Sequence, residues 1–175
     1  MVSRKGYARL LMVFVSFAVL ATLLIGCQGS SIITGKGDRL QQSAEIAIAK
    51  SGEQSGNFQT SNVTIDYTYT RLDPQTLQIS GTVTYSSALK QNFNTINYFN
   101  LGIYLADASG YVFGMRDLAT GQANFTTGAS TKLTFNKTLQ IPAATAMMAF
   151  RYEGQTGGGG GQGEPTEFFL DPIVH

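Results

Sequence analysis

Few residues in this chain could do chemistry. Its 175 residues include one His, one Cys and no Trp, with 12 basic against 11 acidic side chains. Histidine is the usual general base near neutral pH. The only one, His175, is the last residue, where disorder is expected. A Ser-His-Asp or Cys-His arrangement is thus nearly excluded, although a Ser-Lys variant is not. A zinc site with several His or Cys ligands is excluded by count. Acid–base work would fall to carboxylates. Asp66 lies on the polar side of a strand pattern, Asp73 and Asp107 in turn sequences and Asp117 in a polar stretch, so all four read as solvated acids. No acidic stretch has the D-x-D-x-D-G spacing of a calcium loop. The run Gly157 to Gly161 continues as Gln162-Gly163-Glu164-Pro165, with an acid where a phosphate loop needs its Lys. It reads as a flexible hairpin loop. Neither a catalytic residue nor a cofactor nor a metal is expected, and the chain reads as a non-enzyme.

The aromatics leave one candidate binding pair. Tyr67, Tyr69, Tyr85, Phe99, Tyr111, Phe113, Phe150 and Tyr152 lie on apolar strand faces, where core packing is the simplest role. Tyr98 and Tyr104 fall on the other face of their strand, with Asn100 and Gly102 between them. An exposed pair of this kind could stack on sugar rings or anchor a partner, since Tyr combines contact area with a polar tip. The same strand carries apolar groups on both faces, so it reads equally as a central strand buried on both sides. The three N-x-T strings at Asn62, Asn124 and Asn136 read as strand and loop composition.

The single Cys has a distinctive setting. Arg4, Lys5 and Arg9 precede a 16-residue apolar run from Leu10 to Ile25, which closes as Leu24-Ile25-Gly26-Cys27. This resembles the signal peptide and lipobox of bacterial lipoproteins in charge, length, order and the small residue before the Cys. The resemblance implies cleavage by a signal peptidase between Gly26 and Cys27, and a diacylglyceryl thioether plus an N-acyl chain on Cys27. Length alone would also fit an uncleaved signal anchor, since a signal's apolar region runs roughly 7–15 residues and a membrane span roughly 17–25. Gly26 favours the peptidase site, and no basic stop-transfer cluster follows, the next charge being Lys36. Two or more acyl chains anchor stably where one is marginal. Gln28 follows the Cys where Asp would mark inner-membrane retention in the enterobacterial sorting pattern, so the resemblance implies the outer membrane, at its periplasmic face.

Beyond Cys27 the chain is one domain's length. Three of the twelve basic residues precede the Cys, leaving a formal charge near −2 with no basic patch, so nucleic-acid binding finds no support. Residues 28–37 read as a flexible tether. Asp38 with Gln41 forms a capping-box pattern, and Leu40, Ala44, Ala47 and Ile48 share a helical stripe closed by Gly52, which predicts a short helix and linker over 38–60. Alternation of Ile46 and Ile48 with Ala47 and Ala49 offers a short strand instead.

From Asn62 the period becomes two. Val63, Ile65, Tyr67 and Tyr69 alternate with polar residues, Asp73-Pro74-Gln75 supplies a turn, and Leu77, Ile79, Gly81, Val83 and Tyr85 share the next face. A polar stretch from Ser86 to Asn94 leads to a strand with Phe99, Leu101, Ile103 and Leu105 on one face. The turn Asp107-Ala108-Ser109-Gly110 then joins it to Tyr111, Phe113 and Met115. A loop is expected over 116–130, then strands around Leu133–Leu139 and Ala146–Tyr152, the Gly-rich loop 154–163, and a short strand at 167–170. About seven strands with regular turn signals predict an all-β, antiparallel, immunoglobulin-like sandwich over 61–175. A small barrel would show the same alternation.

The segment Ile103-Tyr104-Leu105-Ala106-Asp107 with Gly110, and Gly81 in "LQISGTV", loosely resemble the FxLYD-type immunoglobulin-like domains of bacterial envelope proteins, although the F-x-L-Y-D string itself is absent. The expectation is a lipid-anchored envelope protein acting as a structural or protein-interaction module. Its partners would be membrane lipid through acylated Cys27 and an envelope protein. A glycan- or small-ligand-binding module is the alternative.

Overall fold

A computed structural model describes residues 36–127, 131–159 and 164–175; the expected signal peptide, with Gly26 and Cys27, and the expected tether as far as residue 35 lie outside the described residues. Among the described residues eleven strands follow one another in the order β1 (Arg39–Leu40), β2 (Ile46–Ala47), β3 (Glu53–Gln59), β4 (Val63–Asp73), β5 (Thr76–Tyr85), β6 (Phe93–Ala106), β7 (Val112–Asn124), β8 (Lys132–Gln140), β9 (Met147–Gly159), β10 (Glu167–Leu170) and β11 (Ile173–Val174), with helix α1 (Ser87–Asn92) between β5 and β6. One sheet runs β3-β4-β5-β8 and the other β10-β9-β6-β7, with β2 also on β9; β1 and β11 form a separate ribbon. All pairs are antiparallel. Both sheets are open, so the fold is a sandwich and not a barrel. The chain changes sheets after β5, returns with β8 beside β5, and crosses again with β9 beside β6, as Greek-key sandwiches do.

Alternation explains the core. Val63, Ile65, Tyr69, Leu77, Ile79, Val83 and Tyr85 face Phe99, Leu101, Ile103, Leu105, Met148, Phe150 and Tyr152, all buried. Phe99 is the hub of an aromatic cluster: its ring centroid lies 5.5 Å from Tyr85 at 87°, 5.7 Å from Tyr152 and 6.1 Å from Phe168. Edge-to-face and offset pairs of this kind each add roughly 0.5–1.5 kcal/mol beyond their area.

Several local expectations are corrected. Asp38–Gly52 is not a helix but β1, one 3-10 turn over Gln42–Ala44, and β2. The backbone there pairs across the fold: Val112 N donates to Asp38 O at 2.9 Å and Gln41 N to Pro172 O at 2.8 Å. Tertiary pairing thus overrides the local capping pattern. Within the expected linker lies β3, an edge strand whose polar composition hides it; only Gly56 and Phe58 are partly buried. The polar stretch after Tyr85 holds α1, capped by Ser86 Oγ, which accepts from Leu89 N at 3.2 Å, with Leu89 in the core. Strand β7 continues through the expected loop to Asn124 and buries Leu118 and Ala123. Bulges opposite Ile96/Phe99, Leu101/Gly102 and Leu105/Ala106 break its period and disguise it. The same irregularity leaves Tyr111 48% exposed and buries Val112.

The Gly-rich segment is also corrected: residues 154–159 belong to β9, and 160–163 lie outside the described residues. Gly154 is required there by close approach, since a Cβ would stand 2.5 Å from Cζ of Phe168. The sandwich sheets therefore begin with β2, ahead of residue 61.

Candidate functional site

Both residues of the candidate pair lie on the outer face of the β10-β9-β6-β7 sheet, yet they do not form a shared exposed platform. Tyr104 is fully buried, in a second cluster with Leu40, Ala106, Val112, Ala149 and Ile173. The β1–β11 ribbon, paired through Leu40↔Ile173, covers that end of the sheet and turns Tyr104 into core. The two-sided burial of β6 is thus the arrangement found at this end. Among the described residues the Tyr104 hydroxyl completes no well-formed hydrogen bond; the Asp171 carboxylate acts on it from outside hydrogen-bond geometry. Burial, with the Asp171 carboxylate nearby, pushes its pKa up to about 12. Tyr98, opposite Gln155 and beyond the ribbon, is half-buried.

Beyond the ribbon the outer face is polar and ordered by side-chain bonds. Asn97 Nδ2 donates to Gln155 Oε1 at 3.2 Å and Asn100 Nδ2 to Glu153 Oε1 at 3.1 Å. Arg151 Nη2 pairs with Glu153 Oε2 at 3.2 Å. The Asn100 amide first, and the Arg151 charge and hydrogen bond with it, hold the Glu153 carboxyl below its usual range. Asn97 folds over Gly157, where a Cβ would collide with its amide. Phe169, opposite Glu153 on the edge strand, is 72% exposed.

A cleft of about 690 Å³ opens where residues 37–45 meet the turn at Ala108-Ser109 and the end of β11. His175 lines this cleft, its Nδ1 3.2 Å from Asp38 Oδ2. Ser109 lines the same cleft, but its hydroxyl makes no hydrogen bond with the imidazole among the described residues, so a nucleophile–base pair is not assembled. Arg39 donates to Ser109 O at 2.7 Å and sits 5.0 Å from the Tyr111 ring centroid, which occupies the cleft's cation internally.

Three of the other acids make strand or turn hydrogen bonds. Asp66 accepts from Asn57 at 2.6 Å across β3–β4. Asp73 accepts from Gln75 N at 2.7 Å, a bond that lowers its pKa, and Asp107 caps Ser109 N and Tyr111 N. Asp117 is exposed on β7. No group of three or more His, Cys, Asp or Glu side chains is arranged for a metal among the described residues.

No protein-family model matches the chain, and no curated protein matches it significantly.

Proposed function

We propose that the protein is a lipid-anchored cell-envelope module whose sandwich is held at a membrane surface to bind a partner, without chemistry of its own. The observation that carries this reading is Leu24-Ile25-Gly26-Cys27 at the end of a basic-then-apolar segment. The fold bears on the second half of this reading: of the four acids weighed for catalysis, Asp66, Asp73 and Asp107 are engaged in strand and turn hydrogen bonds, and Asp117 is exposed on β7. Tethering to a membrane converts a bimolecular encounter into a local one and raises the effective concentration of a membrane-proximal partner. The sorting residue Gln28 favours the periplasmic face of the outer membrane, and the partner we propose is an envelope protein. No described helix is long and apolar enough to cross a membrane.

Metabolic labelling with an alkyne fatty acid, membrane fractionation and in-cell crosslinking test this together. The wild-type chain is expected to carry label, to sediment with outer membrane and to co-purify with one reproducible partner. Cys27→Ser is expected to lose all three. A labelled Cys27→Ser protein, or an unlabelled wild type, would overturn the anchoring; labelled protein with no partner above background would overturn the adaptor role.

A further inference from the structure

The outer face of the β10-β9-β6-β7 sheet divides at Gly102. Toward Tyr104 it is apolar and sealed by the β1–β11 ribbon. Away from it the register sets Thr120, Asn100, Glu153 and Phe169 in one row across all four strands. With strands about 4.8 Å apart, that row is about 14 Å long. Tyr98, Gln155 and Glu167 form the next row. Nothing among the described residues covers these rows: Thr120, Glu167 and Phe169 are exposed, and Tyr98, Asn100 and Gln155 half-exposed.

Two properties of these rows point to one ligand class. First, the amides are already oriented. Asn97 is fixed by bonds to Thr95 Oγ1, Gln155 Oε1 and Thr156 O, and Asn100 by Glu153. Each fixed amide keeps hydrogen-bonding capacity for a ligand: Gln155 retains its NH₂ donors and Asn100 its carbonyl. Ordering entropy for these side chains is therefore already spent before any ligand arrives. Secondly, exposed ring surface accompanies the amides, Phe169 at 72% and Tyr98 in part. The central charges, Arg151 and Glu153, neutralise each other, while Asp117 and Glu167 at the margins repel anions. A partner protein would need an apolar centre, which this surface lacks. A neutral sugar chain presents alternating hydroxyl donors and acceptors with flat C–H faces, and amides beside rings match both.

We infer that this face is a glycan-binding site for a neutral polysaccharide, with Asn100 and Gln155 as hydrogen-bonding contacts and Phe169 and Tyr98 as stacking platforms. Acylation of Cys27 plays no part in it. Titration of the full chain in detergent micelles with hexamers of β-1,4-linked glucose and of β-1,4-linked N-acetylglucosamine, followed calorimetrically, is the test. Saturable binding of at least one hexamer is expected. Phe169→Ala and Gln155→Ala are each expected to weaken it about tenfold, the equivalent of about 1.4 kcal/mol, with thermal midpoints unchanged. Leu72→Ala, an exposed apolar residue in the other sheet, is expected to bind as wild type does. Absence of binding to both hexamers at millimolar concentration would overturn the inference, as would binding that survives Phe169→Ala and Gln155→Ala or that falls equally with Leu72→Ala. Repeating the titration with Cys27→Ser separates this result from the anchoring, since an unacylated chain should bind identically.

Discussion

Removing one oxygen atom, by Tyr104→Phe, distinguishes a core tyrosine from a binding tyrosine. The ring is enclosed by Leu40, Val112, Ala149 and Ile173, and its hydroxyl is buried without a well-formed hydrogen bond among the described residues, the Asp171 carboxylate standing outside hydrogen-bond geometry. A buried polar group left unsatisfied costs roughly 1–3 kcal/mol. Taking the oxygen away while keeping the ring is expected to raise stability at neutral pH by about 1 kcal/mol, read as a higher urea midpoint at unchanged slope. The alkaline arm adds a second, signed readout. The phenol is raised from 10.0 to about 12 by burial and then by Asp171. Below pH 10 both folded and unfolded chains hold the neutral phenol, so stability is full; as pH rises from 10 through 12 the unfolded chain ionises first and stability drains away. At 1.36 kcal/mol per pH unit the ceiling is about 2.7 kcal/mol. Screening on the solvent side of the two-residue ribbon lowers it to about 1–2 kcal/mol. Tyr85, raised to about 12 by burial, adds a loss of the same sign. Tyr104→Phe should therefore remove part of the alkaline loss, and the double variant with Tyr85→Phe most of it. A Tyr104→Phe protein less stable than wild type by 1 kcal/mol or more, or one with an undiminished alkaline loss, would refute the reasoning.

Gly154→Val should cost about 1–3 kcal/mol by overpacking against Phe168; a calorimetric midpoint equal to wild type would show that the Gly-rich segment does not pack as β9. The Glu153 carboxyl, held low by Asn100 and Arg151, contributes stability that is present above its ordinary pKa and lost as pH falls through the depressed one. Glu153→Gln should accordingly flatten the acid limb of the stability profile, and an acid limb identical to wild type would count against the Asn100–Glu153–Arg151 arrangement.

The strands that alternate strictly were legible from composition alone. Val63 to Tyr69 and Leu77 to Tyr85 bury the residues their period assigns, with the Asp73-Pro74-Gln75 turn between them. What escaped was whatever does not follow a local period. Strand β3 bonds only along one edge and needs no apolar alternation. Bulges shift β7 out of phase, and β9 runs through glycines because Phe168 and Asn97 take up the space that side chains would fill. Tyr104 illustrates the same limit for the site. Its neighbours in sequence left an exposed pair and a strand buried on both sides equally open, and contact with Leu40 and Ile173, both remote in the chain, decides for burial. The polar outer face was missed for a related reason: Asn97, Asn100, Gln155 and Phe169 come from three strands and meet only through register.

The ribbon also bears on the order in which the chain folds. The two-residue strand β1 bonds to the turn between β6 and β7, Leu40 N donating to Gly110 O at 2.9 Å, but its ladder with β11 must wait for Ile173. Contacts of such wide sequence separation are slow to form because the loop between them must first be closed. Pairing of Leu40 with Ile173 is therefore expected late, and Tyr104 is expected to stay partly wet until it forms. Until then, the folding chain would show its outer-face apolar patch to chaperones and proteases, which makes docking of the ribbon the step that marks the domain as finished.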